Sequence, residues 1–329
     1  MAKRYRKKLS CRIIAIVGSY GKTTTKDMLY SLLKQKYNVQ KTHENQNNEI
    51  GVPLTLLNTD SRTDILLLEL GMRQKGDLKF LTQIVRPTDV VFTGVGLSHM
   101  QFFKTPKDIA KAKSEVFQLP LLYELKRQVF INQRSDFFEF VKSKAEKKGY
   151  TLFPFSGQTG PDRMLNMCYL IGQQFGLSES EIQMGLKQYE ASAHRLNKLQ
   201  VKDILLVDDT YNANPEGVKY ALEYISPMKG RKILVLGDML ELGSCERSGH
   251  QSLIETIIDA EVSLVFAYGE AVKSMKSDLI PIHHFQDKKI LHDVLLAELK
   301  SNDIVLVKGS RGMKMEETVR AIQENYVGL

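Results

Sequence analysis

Ile13-Ile14-Ala15-Ile16-Val17-Gly18-Ser19-Tyr20-Gly21-Lys22-Thr23-Thr24-Thr25 runs from an apolar strand through a glycine-bracketed turn into a polar stretch that opens a helix. That order is what a polyphosphate requires. Glycines let backbone N–H groups turn inward, the following helix presents its positive end, Lys22 supplies a movable cation and Thr23 can ligate magnesium. The spacing is the shorter G-x-x-G-K-T-T-T form rather than G-x-x-x-x-G-K-[ST]. Gly18, Ser19, Tyr20, Gly21, Lys22, Thr23 and Thr24 are therefore candidate ligands of ATP or GTP; a plain glycine turn with a surface lysine is the alternative. Beyond the loop, Met28, Leu29, Leu32 and Leu33 make an apolar helical stripe, with Lys26, Asp27 and Lys34 off it.

Around this stretch, apolar strand-like runs alternate with helical ones, the pattern of an α/β protein with a mostly parallel sheet. Ile65 to Leu68 reads as a buried strand ending in Glu69, and Val90 to Phe92 as another leading to His99. Ligands of such sheets bind at the carboxyl ends of the strands, so Glu69 and His99 are candidate magnesium ligands beside the loop. A second domain with Rossmann-like rhythm follows, its strands at Ile204–Val207, Ile233–Leu236, Leu264–Phe266 and Ile304–Val307, with Asn214 capping a helix that begins at Pro215. The expected division is a basic tail over 1–12, a nucleotide-binding domain over 13–194 and a C-terminal domain over 195–329.

Lys113 conflicts with its surroundings. Thr105 caps a helix that starts at Pro106, and Ile109, Ala112, Val116 and Phe117 form its apolar face with Lys113 in the middle. A buried unpaired ammonium costs on the order of several kcal/mol, so the side chain must snorkel, find an anion, lose its proton or be chemically altered. Carbon dioxide converts a neutral buried amine into a carbamate, an anionic magnesium ligand.

The 329 residues, 43% of them hydrophobic and 26% charged, suit two globular domains. No apolar run reaches the roughly 20 residues of a membrane span, and the N-terminus lacks a signal-like stretch, so a cytoplasmic protein is expected. Cys11, Cys168 and Cys245 are too few and scattered for a disulfide framework or a zinc cluster. The net charge of +8 fits anionic substrates, and much of it lies in the first twelve residues, read as a solvated tail. Tryptophan is absent and no aromatic residues interleave a basic stripe, which gives nucleic-acid binding no support.

Gly18 to Met28, Asn45 to Pro53, Glu69-Leu70-Gly71, His99 and Lys113-Ser114-Glu115 together resemble the central ATPase domain of the Mur ligases. His194-Arg195, Asp208 to Pro215, Leu236 to Gly243 and Val307 to Glu316 resemble the branch of that family that adds D-alanyl-D-alanine to a UDP-muramyl peptide. The resemblance implies ADP-forming ligation of a carboxylate to an amine through an acyl phosphate, for cell-wall precursor synthesis. It implies Lys22 and the loop amides on the β- and γ-phosphates, Thr23 and Glu69 on one magnesium ion, and His99 with carbamylated Lys113 on a second. Asn48 would line the reaction site, Arg195, Asp209 and Asn212 would meet the nucleotide, and Lys308, Ser310 and Arg311 the incoming amine or dipeptide. Only about twelve residues precede the first strand, so the family's UDP-binding domain is expected to be lacking, its anchoring role falling to a separate UDP-binding protein or the substrate being a smaller carboxylate. The stretch from Lys126 to Met164 is short and lysine-rich, which leads to the expectation that part of the central sheet is missing. A folylpolyglutamate-synthase-like amino acid ligase, or a non-catalytic nucleotide-binding protein, are the alternatives.

Overall fold

Continuous runs of β-branched and leucine residues form the central strands, because a parallel sheet covered on both faces buries every side chain. The computed structural model describes residues 1–43, 46–98, 100–118 and 126–328. The first sheet contains β1 (Arg12–Val17), β2 (Val39–Lys41), β3 (Ile65–Glu69), β4 (Asp89–Phe92), β5 (Arg127–Asn132) and β6 (Tyr150–Phe155), in the order β2-β3-β1-β4-β5-β6. All of its pairings are parallel. On one face, Leu29, Leu32 and Leu33 of the helix Lys22–Leu33 and Met167, Cys168 and Ile171 of the helix Gly160–Gln174 pack with Ile14, Ile16 and Val91.

The second sheet contains β7 (Asn197–Val201), β8 (Ile204–Asp209), β9 (Lys232–Gly237), β10 (Val262–Tyr268), β11 (Ile282–Phe285) and β12 (Ile304–Lys308), in the order β11-β10-β9-β12-β8-β7. It is parallel except for the β7–β8 hairpin at its edge. Alternate residues serve opposite faces. Leu234, Leu236 and Leu306 pack with the helix Pro215–Ile225, while Ile233, Val235, Val305 and Val307 pack with the helices Lys288–Glu298 and Glu316–Asn325.

The chain forms two compact units. One is Met1–Gly96 with Phe102–Glu190; the other is Leu97–Gln101 with Ala191–Leu329. The short segment Leu97–Gln101 therefore belongs with the second unit. There the Leu97 amide donates to Glu216 Oε1 at 3.2 Å, the Met100 amide donates to the Glu241 carbonyl at 2.9 Å, and Leu97 packs against the core.

Four expectations change. Residues 1–12 are not a free solvated tail: Ala2–Tyr5 is helical, Ala2 and Leu9 are buried, and Arg6 donates to the carbonyls of Val85 and Arg86. The guanidinium satisfies carbonyls that the helix Asp77–Val85 leaves open at its end. The stretch from Lys126 to Met164 supplies β5 and β6 and completes a six-stranded sheet. Lys26 and Asp27, off the apolar stripe, are nevertheless buried. The helix after Thr105 ends at Lys113 and tightens into a 3-10 turn over Ser114–Phe117, with Val116 and Phe117 still buried.

Candidate functional site

The register of the first sheet brings the loop and its neighbours to one edge. Ile16 of β1 pairs with Glu69 of β3 and with Val91 of β4, so the turn after Val17, the Glu69 side chain and Thr93 emerge together. Gly18 is required there: a Cβ would lie 1.8 Å from Thr93 Oγ1, which donates to the Tyr20 carbonyl at 2.6 Å. Gly21, at φ 72°, takes the left-handed conformation that opens the helix Lys22–Leu33. The Ser19 amide donates to the Gly94 carbonyl at 2.9 Å and its hydroxyl to the Gly96 carbonyl at 3.1 Å, fastening the loop to the Gly94–Gly96 stretch of the same unit.

Two ammonium groups converge on this loop. Lys22 Nζ and Lys113 Nζ each donate to the Gly18 carbonyl at 3.0 Å. Lys113 is 2% exposed, and its pKa is driven well below the ordinary lysine value by burial first and by the charge of Lys22 second. Burial and the neighbouring charge thus disfavour the protonated form of this amine. Across the loop, Thr23 Oγ1 donates to Glu69 Oε2 at 2.8 Å and Asn47 Nδ2 to Glu69 Oε1 at 2.8 Å. A hydroxyl and one carboxylate beside a phosphate-binding turn are the donor set magnesium takes when phosphates complete its shell. Among the described residues, no cluster of three or more His, Cys, Asp or Glu could hold a metal, so a metal here relies on that mixed set. His99 lies outside the described residues.

Asn48 closes the turn that leads into the helix Gly51–Leu57: its Oδ1 accepts from the amides of Ile50 and Gly51 at 3.1 and 2.9 Å. Its neighbour Asn47, which the sequence reading did not single out, is the residue on Glu69. Thr24 is half-buried in the first turn of the helix. Glu115 accepts from the amides of Gly76 and Lys79 at the start of the helix Asp77–Val85 and so holds that helix.

The second unit gathers its candidates at the corresponding edge of its own sheet, where Lys308 of β12 pairs in register with Asp209 of β8. The Lys308 ammonium is bonded to the Asp209 carboxylate and donates to the Asn212 carbonyl at 2.9 Å. Burial raises the Asp209 pKa, against the opposing pull of Lys308 and Arg195. The Arg195 guanidinium stacks over the Tyr211 ring at 3.9 Å, and His194 Nδ1 lies 2.7 Å from Asp208 Oδ2. Asn212 is exposed, with its Oδ1 on the Ala213 amide at 2.9 Å. Ser310 is buried and accepts from the Leu240 amide at 2.8 Å; Arg311 is exposed and pairs with Glu316 at 3.3 Å. Asn214 caps the helix Pro215–Ile225 through the Gly217 amide, as the sequence indicates.

Sequence reasoning missed two buried polar groups here. Asp238 accepts from the amides of Glu270 and Val272 at 3.0 and 2.8 Å, and His250, fully buried, accepts at Nε2 from the Met239 amide at 2.9 Å. Their partners are backbone amides, which leave no mark in a motif.

The family model of the Mur ligase middle domain matches residues 16–205, and that of the Mur ligase glutamate ligase domain matches 194–311. The chain belongs to the Mur ligase family. Its relatives include the UDP-N-acetylmuramoyl-tripeptide–D-alanyl-D-alanine ligase of Bacillus subtilis, 32% identical over 99% of this chain and 79% of the relative. The MurF ligase of Thermotoga maritima, solved in complex with ADP, superposes with a TM-score of 0.85 at 26% identity, over 99% of this chain and 83% of that one. A folylpolyglutamate synthase of Mycobacterium tuberculosis shares the fold, with a TM-score of 0.71 at 12% identity over 98% of this chain and 95% of that one. This Mur ligase is an ATP-dependent, ADP-forming enzyme that makes amide bonds. Among the described residues no helix is long and apolar enough to cross a membrane.

Proposed function

We propose that this ligase adds D-alanyl-D-alanine to a UDP-muramyl tripeptide in the cytoplasm, as a step of cell-wall precursor synthesis. The observation that carries the reading is identity to the Bacillus subtilis relative along nearly the whole chain, through both units. The folylpolyglutamate synthase likeness supports the fold alone. ATP, when bound with magnesium, supplies the phosphoryl group that activates the substrate carboxylate for attack by the amine.

The chain's own residues position and neutralise, which is where most catalysis of phosphoryl transfer comes from. Lys22 and the amides of Gly18 to Thr24 would hold the phosphates, and Thr23 with Glu69 one magnesium ion. Lys113 as a carbamate, with His99, would hold a second: the neutral amine adds to carbon dioxide, forming one N–C bond and releasing one proton, and a buried neutral amine becomes an anion. Burial of Lys113 beside Lys22 supports this chemistry. Arg195, Asp209 and Asn212 would contact the nucleotide, and Asn48 would order the reaction site through the turn it closes. Lys308, Ser310 and Arg311 would face the amine; the bond of Lys308 to Asp209 holds these two groups together at the ends of adjacent strands.

The test is phosphate release with ATP and magnesium, supplying UDP-muramyl tripeptide and D-alanyl-D-alanine together and each alone, with mass detection of the product. A dipeptide-extended product made only with both substrates is expected. ATP turnover that instead required glutamate and a folate would overturn the substrate assignment.

A further inference from the structure

Behind the candidate magnesium ligand lies a group that the proposed mechanism does not use. Lys26 is 2% exposed, on the buried side of the helix Lys22–Leu33, and its Nζ is 3.9 Å from Glu69 Oε2 and 3.9 Å from Asp27 Oδ1. Glu69 and Asp27 are themselves 3% and 5% exposed. Asp27 has a second cation, Lys41, whose Nζ donates to its Oδ1 at 2.7 Å. Two carboxylates and two ammonium groups thus alternate in a row, Lys41–Asp27–Lys26–Glu69, ending at the Thr23 hydroxyl.

We infer that Lys26 is a positioning residue for the Glu69 carboxylate, holding it in the orientation in which it receives a divalent cation. The inference rests on Glu69 being a magnesium ligand. Its physical content is the geometry of three partners. Asn47 donates a hydrogen bond to one carboxylate oxygen and Thr23 to the other, while Lys26 lies 3.9 Å from Oε2, at ion-pair distance. With a metal held by the Thr23 hydroxyl and Glu69, Lys26 and Asn47 would be the contacts that keep the carboxylate from turning. Outer partners of this kind orient metal ligands, and losing one weakens metal affinity by about 10- to 100-fold.

Lys41 provides the internal comparison, because it belongs to the same charge row but meets Asp27 rather than Glu69. The experiment measures Mn2+ binding to the ADP complex by the loss of free-ion EPR signal, for the parent protein and for Lys26→Met, Lys41→Met and Glu69→Gln. ADP affinity without metal and thermal midpoints are recorded alongside, and Lys26→Gln replaces Lys26→Met if the latter does not fold. The expected result is Mn2+ affinity weakened about tenfold or more in Lys26→Met, ADP affinity without metal unchanged, and Mn2+ affinity in Lys41→Met close to that of the parent. Equal Mn2+ affinity in Lys26→Met and the parent, or equal losses in Lys26→Met and Lys41→Met, would overturn the positioning role. If Glu69→Gln bound Mn2+ as the parent does, the assignment of Glu69 as a ligand would itself fail; loss in Glu69→Gln with none in Lys26→Met would sink the inference alone.

Discussion

At the scale of single residues, Lys113 is a buried amine that works against stability. Its amine is enclosed, and its pKa is depressed from the ordinary 10.5 by burial and by Lys22. The unfolded chain holds a proton there more tightly than the folded chain does, so folding loses free energy as pH falls from the ordinary lysine value toward the depressed one, and the loss is constant below it. Lys113→Met removes that penalty. We expect the variant to be more stable than the parent at pH 7 by about 1 kcal/mol or more, with the difference shrinking toward pH 11, while ligation is abolished. Urea denaturation across that range and a ligation assay check both halves. A variant that ligated normally would remove Lys113 from the chemistry, and bicarbonate stimulation of the parent is the companion sign of the carbamate. Lys113 was legible in the sequence because it interrupts an apolar helical face. Asn47 and Lys26 were not: they sit inside recognised motifs, and only the fold shows which members of a motif turn toward Glu69.

At the scale of elements, legibility followed burial. β1, β3, β4, β8, β9, β10 and β12 were readable because their interiors are continuous apolar runs, and the strand ends fell within a few residues of those expected. The strands that escaped notice include β2, β6, β7 and β11, which form the edges of the two sheets and are mostly half-buried or exposed. Edge strands bury one face at most, so their sequences resemble loops. β5 was hidden for another reason, lying in a lysine-rich stretch whose charges belong to the following helix Phe138–Glu146 and the turns around it. Glu115 makes a similar point about motifs. It stands two residues from Lys113 yet anchors the amides of Gly76 and Lys79. Glu115→Ala is therefore expected to destabilise the protein by about 1–2 kcal/mol through loss of that helix anchor. Glu115→Gln, which keeps one acceptor oxygen, should lose less in the same denaturation experiment.

At the scale of the molecule, the segment Leu97–Gln101 is held by residues far along the chain. Glu216 is the side chain that accepts the Leu97 amide, so Glu216→Ala should speed hydrogen exchange at Leu97 by up to about tenfold, the worth of one hydrogen bond. Amides of β4 should keep their protection, and unchanged exchange at Leu97 would show that packing rather than Glu216 holds the segment.

The same five residues restrict how such a protein can be recombined. By sequence they lie within the first half; by packing they belong to the second, with Gly243, at φ 52°, closing on the Met100 backbone. A chimera that joined halves of two diverged relatives near residue 190 would seat a foreign 97–101 stretch against a surface shaped for another. The halves are not interchangeable parts: an ancestral exchange of one would have had to carry this stretch with it, and divergence on either side constrains the other.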